Sequence, residues 1–254
     1  MSLRLEKQGA IARLTIDRAA KRNAFTQAMW EALPPLLAEA MADPAIRVLV
    51  VQSAAAGVFS TGADIHEFST GALDPEWRAM NQASIRAAQF ELARAPKPVI
   101  ALIDGDCVGG GCGLAIACDI RVASPRARFG ITPAKLGLVY SLHDTKLLVD
   151  LVGPAQAKRI LFSGQLLDAA EAQRIGLVEI VSSDVQSEGD ALAAVIAENS
   201  PHAVRGVKSV VRRVLDGQAD DDAETRQLFS DAFLGEDFAE GVAAFLEKRK
   251  ARFK

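Results

Sequence analysis

Lys97-Pro98-Val99-Ile100-Ala101-Leu102-Ile103 leads, five residues later, into Gly109-Gly110-Gly111-Cys112-Gly113 and then Leu114-Ala115-Ile116-Ala117-Cys118. The first run is β-branched and apolar, as in a strand buried on both faces. The last run is apolar and helix-like. A glycine cluster between strand and helix leaves main-chain N–H groups uncovered at the positive end of the helix dipole, where they can hold a developing negative charge. Upstream lies a second segment rich in open backbone, Phe59-Ser60-Thr61-Gly62-Ala63-Asp64. Two such segments can polarise one carbonyl from two sides without using side chains.

Working outward, Leu3–Glu6 and Ile11–Ile16 form an expected hairpin turning at Gly9, because Arg13, Thr15 and Asp17 alternate with apolar neighbours. Thr26 is placed to cap a helix whose inner face is Met29, Leu33, Leu36, Leu37 and Ala40, with Pro34 and Pro35 expected to kink or split it. Ile46–Gln52 and Ile120–Ala123 are further strands, and Pro75–Arg94 is a helix ended by Pro96 and Pro98. Leu142–Val152, Ala155–Phe162 and Asp168–Ile175 have helical spacing, Leu177–Val181 is strand-like, and residues 186–253 are almost entirely helical. The expectation is an α/β core over residues 1–190 and a helical region over 191–254.

The 254 residues are 50% hydrophobic and 24% charged, with a net charge of −3, which gives nucleic-acid binding no support. The N-terminus lacks the apolar centre of a signal peptide, and no apolar run approaches the ~20 residues that span a bilayer. Cys107, Cys112 and Cys118 are too few for a disulfide framework and read as reduced, buried thiols of a cytoplasmic protein. The three histidines, His66, His143 and His202, are far apart, and no metal-ligand spacing occurs, so no metal is expected. A dinucleotide fingerprint also fails, since counting G-x-G-x-x-G from Gly109 puts Leu114 at the last glycine.

Four segments, in order and spacing, carry a wider similarity: Lys21-Arg22-Asn23-Ala24-Phe25; Phe59–Ile65; Lys97–Ile120; and Phe238-Ala239-Glu240-Gly241 with Phe245-Leu246-Glu247-Lys248-Arg249. Together they span nearly the whole chain, which resembles the crotonase superfamily, the enoyl-CoA hydratase/isomerase family. That resemblance implies a spiral of ββα units with a C-terminal helical trimerisation region, assembled as a homotrimer or hexamer. It implies an acyl-CoA thioester substrate, with coenzyme A as part of the substrate, and no cofactor, nucleic acid or membrane partner. By position, the amides of Ala63 and Gly110 would form an oxyanion hole for a thioester enolate, each well-placed donor being worth ~3–4 kcal/mol. Lys21, Arg22, Ala24, Asp64, Ile65, Phe245 and Lys248 would meet the coenzyme.

The chain departs from the family's hydratases at both proton-moving positions, where Gly113 and Pro133 stand in place of glutamates. Hydration needs a base for the water and an acid for carbon, so a two-glutamate hydration is not expected. Gly113 either makes room for a bulky acyl group, or reflects drift in a paralogue or simple close packing. Thr132-Pro133-Ala134-Lys135-Leu136-Gly137-Leu138-Val139-Tyr140 and the Asp64-Ile65-His66-Glu67 segment resemble methylmalonyl-CoA decarboxylases of the same superfamily. That similarity implies that His66 and Tyr140 lie near a substrate carboxylate. Without it, His66 reads as a surface residue and Tyr140 as a core tyrosine. Ser141 and Asp119 read as structural, and His143 and Asp144 as capping groups at a helix start. The readings are an acyl-CoA enzyme (hydratase, isomerase or decarboxylase) or a CoA-thioester binder without catalysis.

Overall fold

The computed structural model describes residues 2–253. Its strands are β1 (Leu3–Gln8), β2 (Ile11–Ile16), β3 (Val48–Ser53), β4 (Gly57–Ser60), β5 (Val99–Ile103), β6 (Gly105–Val108), β7 (Ile120–Ala123), β8 (Arg128–Gly130), β9 (Leu167–Asp168) and β10 (Ile180–Val181). Its helices are α1 (Gln27–Ala42), α2 (Ile65–Gly71), α3 (Pro75–Ala93), α4 (Gly110–Ala117), α5 (Leu142–Ser163), α6 (Ala169–Arg174), α7 (Val185–Glu198), α8 (Pro201–Leu215), α9 (Ala223–Leu234) and α10 (Glu236–Glu247). One sheet runs β1-β2-β3-β5-β7-β10 and the other β4-β6-β8-β9. Successive pairs β3/β4, β5/β6 and β7/β8 each give one strand to each sheet before the chain enters helix, so the core winds as repeated ββα turns. Among the described residues the strand pairings are parallel except the β1–β2 hairpin and β8–β9.

The apolar runs of the larger sheet are explained by burial on both faces. Leu49, Val51, Val99, Ala101 and Ile103 join the main core, while Val48, Val50, Ile100 and Leu102 meet Val185 and Ala193 of α7 on the other side. Helix α7 crosses residue 190 and belongs to this packing. The helix after it, α8, buries none of its residues.

Two local expectations are corrected. Helix α1 is neither split nor interrupted by Pro34 and Pro35. Its prolines are half-buried and exposed, whereas Leu33 and Leu37 on either side are fixed in the core at 1% and 3% exposure. Thr26 caps it as expected, accepting from Met29 N at 3.3 Å. The strand expected over Leu177–Val181 reduces to β10. Leu177 N and Val178 N both donate to Ala172 O, at 2.9 and 3.2 Å, which closes α6 and leaves only Ile180 and Val181 to pair with β7. The expected break between Leu142–Val152 and Ala155–Phe162 is present, since α5 leaves helical angles at Gly153, before Pro154.

Candidate active site

Where the two sheets feed their loops toward α3 and α5, a cavity of about 620 Å³ opens. Its walls are mostly apolar, with Trp30, Ile85, Leu138 and Val139 among them, and Ala63 and Gly110 lie in the same wall.

The loop that carries Ala63 is fixed from below. A register shift in β4 between Val58 and Ser60 re-aims the chain just before it. Thr61 N then donates to Arg22 O at 3.2 Å, and Ser60 Oγ donates to Asn23 O at 2.8 Å. Asn23, fully buried with a positive φ of 54°, ties its amide to Ser53 Oγ (2.8 Å) and Phe59 O (2.9 Å) and accepts from Arg18 N (2.8 Å). Phe25 bridges Ala63 in the parallel sense: Phe25 N donates to Gly62 O at 2.7 Å and Asp64 N to Phe25 O at 2.8 Å. In such a pairing the residue between the two bonds directs its own N–H and C=O to the opposite edge. The Ala63 N–H therefore faces away from Phe25.

The Gly110 amide belongs to the first turn of α4, whose donors a helix cannot satisfy itself. Gly109, at the N-cap with φ 58° and ψ −126°, has no side chain to accept one, and its own N donates to Gly130 O at 2.8 Å. The two loops touch. A Cβ built on Gly62, where φ is +86°, would lie 2.6 Å from Gly110 N, and one on Gly111 would overlap Ser60 O. Glycine is thus required by close approach, which sets the Gly62 backbone against that of Gly109 and Gly110.

Asp64 is the N-cap of α2, accepting from His66 N at 3.0 Å, and Arg18 pairs with it at 2.8 Å. That guanidinium, with the loop amides, holds the Asp64 carboxyl below the usual carboxylate range. Arg18 also donates to Ala24 O at 2.8 Å, so one side chain joins both motif segments. Ile65, 55% exposed, lines the cavity. The His66 ring is exposed and is not among the residues lining it. Lys21 lies in a short 3-10 turn, and Arg22, in the left-handed region, pairs with Asp106. Phe245 (83% exposed) and Lys248 sit on α10 and its C-cap, away from the cavity wall.

Tyr140 is half-buried against the core, and its hydroxyl is sealed in the cavity wall without a hydrogen-bond partner among the described residues. Burial, followed by the nearby Asp144 charge, pushes that phenol well above its ordinary value. Gly113 faces the same spot. A Cβ there would overlap the Gln89 side-chain amide and come within 3.0 Å of Tyr140 Oη, so the missing side chain reflects close packing by these two residues.

Two wall residues were not legible as such. Gln89 is 1% exposed on α3, a polar residue in register with the core residue Leu92; its place on the inner helix face was the available signal. Asp144 reads from sequence as a cap, yet Ser141 is the N-cap, accepting from Asp144 N at 3.1 Å, and the Asp144 side chain is buried in the cavity wall. Among the described residues no group of three or more His, Cys, Asp or Glu is arranged to hold a metal ion, and no helix is long and apolar enough to cross a membrane.

The sequence model of the enoyl-CoA hydratase/isomerase family matches residues 6–254. The short-chain-enoyl-CoA hydratase of Clostridium acetobutylicum is 34% identical over 260 residues, covering 97% of this chain and 95% of that protein. The 2,3-dehydroadipyl-CoA hydratase of Escherichia coli is 34% identical over 253 residues, covering 98% and 97%. Among solved structures, an enoyl-CoA hydratase/isomerase family protein from Hyphomonas neptunium superposes with a TM-score of 0.97 at 39% identity, covering 100% of this chain and 98% of that one.

Proposed function

Because the chain belongs to the enoyl-CoA hydratase/isomerase family, we propose that this acyl-CoA enzyme grips the thioester oxygen between the amides of Ala63 and Gly110 and stabilises the enolate formed there. The observation that carries this reading is the contact of the two loops: a bridge to Phe25 turns one N–H outward, and the open first turn of α4 supplies the other. Fixed dipoles of this kind favour the charged intermediate without reorganising during the reaction.

Hydration through two glutamates is not part of the proposal. Gly113 has no side chain, a Cβ there would meet the end of the Gln89 side chain, and Pro133 cannot move a proton. Reactions that start or end at the enolate, proton shift or loss of carbon dioxide, place fewer demands on the site. A decarboxylase-like activity is the second reading, favoured by Tyr140 in the cavity wall, whose unpartnered hydroxyl would turn out of its buried position to donate to a substrate carboxylate. His66 has no such support, since its ring is outside the cavity wall.

We further infer that Lys21, Arg22, Ala24, Asp64 and Ile65 meet the coenzyme portion of the substrate, supported by the bonds that stitch residues 22–25 to the loop at 61–64. Phe245 and Lys248 would reach a coenzyme held by a neighbouring copy. Exposed Phe229, Phe233, Phe238, Phe245 and Leu246 on α9 and α10 support the association of copies that this requires.

The test is to titrate the purified protein calorimetrically with crotonyl-CoA, a 3-enoyl-CoA and methylmalonyl-CoA, and to follow products by mass spectrometry. Binding of the thioesters with turnover of the 3-enoyl or the malonyl ester is expected. Absence of binding by all three refutes the reading; hydration of crotonyl-CoA as the dominant reaction refutes the exclusion of two-acid chemistry.

A further inference from the structure

A buried carboxylate survives in this cavity although both glutamate positions are empty of acids. Asp144 is 4% exposed and lines the cavity. Its backbone N is already taken by Ser141 Oγ, and its side chain does no capping. An aspartate in a helix first turn can satisfy the dipole while staying in water, so drawing it out of water demands partners. Those partners are an imidazole and an amide. His143 Nδ1 lies 3.0 Å from Oδ1, and the Gln89 amide nitrogen, in the orientation that satisfies both ends of that amide, lies 3.0 and 2.7 Å from the two oxygens. Among the described residues no lysine or arginine pairs with Asp144.

The position matters as much as the partners. Gln89, which holds the carboxylate, is also the group that a side chain at Gly113 would strike. Gly113 follows Gly110 by three residues, ~4.5 Å along the axis of α4. The Asp144 cluster therefore borders the volume that a side chain at 113 would enter, about one helical turn from the Gly110 amide. His143 completes a path outward. Its side chain is 21% exposed and its ring packs 5.4 Å from that of Phe90.

We propose that Asp144 moves the proton at the carbon beside the thioester carbonyl, with His143 connecting it to solvent; this rests on the enolate reading above. In the forward step the C–H bond breaks, an O–H bond forms on Asp144, and the electron pair passes into the thioester to leave the negative charge on its oxygen. The return step delivers the same proton, or one exchanged through His143, to carbon. No oxidant, reductant or further reactant is required.

The probe is butyryl-CoA in D2O with the full-length protein, reading deuterium at the carbon beside the carbonyl by mass spectrometry and binding by calorimetry. The wild type is expected to bind and to exchange. Asp144→Asn is expected to bind equally and to lose exchange by about 10²–10⁴-fold, the usual worth of a positioned acid–base group. His143→Phe is expected to slow the entry of deuterium while leaving binding intact. If Asp144→Asn does not fold, Asp144→Glu is read instead, with slowed exchange at unchanged binding as the supporting result. Exchange at the wild-type rate in the aspartate variant, or binding by the wild type without exchange, overturns the proposal. Failure of the wild type to bind any thioester instead overturns the enolate reading beneath it.

Discussion

Gly62 concentrates the demands on this site in one residue. Its φ of +86° suits glycine, and any Cβ would press on Gly110 N at 2.6 Å. Gly62→Ala is therefore expected to push the two loops apart and lower kcat by about 10²–10³-fold, as loss of one oxyanion donor does, while the protein still folds. Steady-state kinetics alongside a melting curve checks this; an active Gly62→Ala enzyme would separate the amides from catalysis. Gly113 makes the complementary case. Restoring a glutamate by Gly113→Glu places atoms where Gln89 and Tyr140 already are, so a loss of ~1–3 kcal/mol from overpacking is expected in urea unfolding, with no gain of hydration. A stable, hydrating Gly113→Glu variant would contradict that. At this scale the sequence was readable where backbone geometry decides, since glycine runs advertise open amides. It was less so at Gln89 and Asp144, because a single letter does not tell whether a polar side chain turns to water or to a cavity wall.

Elements were legible where a local rule is strong. Thr26 caps α1, Gly9 turns the first hairpin, and Gly153-Pro154 breaks α5, each through chemistry contained in a few residues. The expected split did not occur in α1, where the prolines lie on the outer side and two deeply buried leucines hold the inner face together. The local rule failed after α6, where Ala172 O captures two amides that a strand would have used. The end of α10 gives a test in the same terms. Glu240 receives a fork from Arg249, at 2.6 and 2.9 Å, and a bond from Arg252 N at 2.7 Å. The Arg249 guanidinium, followed by that amide, lowers the Glu240 carboxyl to about 2 from an ordinary 4.5. Since the folded value is the depressed one, the attachment is complete above pH 4.5 and is lost as pH falls toward about 2. Carboxyl-carbon NMR is expected to show Glu240 titrating near the lower value in the wild type and higher in Arg249→Gln, short of the ordinary value because the Arg252 amide still donates to it; identical titrations would dissolve the link.

The whole molecule is where sequence helped least on its own. Alternating strands and helices indicate an α/β core, but nothing in the letters says that each strand pair divides between two sheets, as β3/β4, β5/β6 and β7/β8 do. Resemblance supplied a spiral of ββα units, and the superposition on the Hyphomonas neptunium structure at a TM-score of 0.97 supports that fold. The helical end has a different logic. Helix α8 buries nothing, and α9 and α10 present a row of phenylalanines, two pairs of which stack edge to face at 5.2 and 5.0 Å. Apolar surface of this extent is expected to be covered by further copies, giving a particle three or six times 27.0 kDa by light scattering; a monomer at micromolar concentration would remove the neighbouring-copy role of Phe245 and Lys248. The most direct measurement of all is a crystal structure with an unreactive acyl-CoA analogue bound. The thioester oxygen should lie ~2.7–3.1 Å from both the Ala63 and the Gly110 nitrogen. A well-ordered thioester that directs its oxygen to any other pair of groups would contradict the assignment of this site.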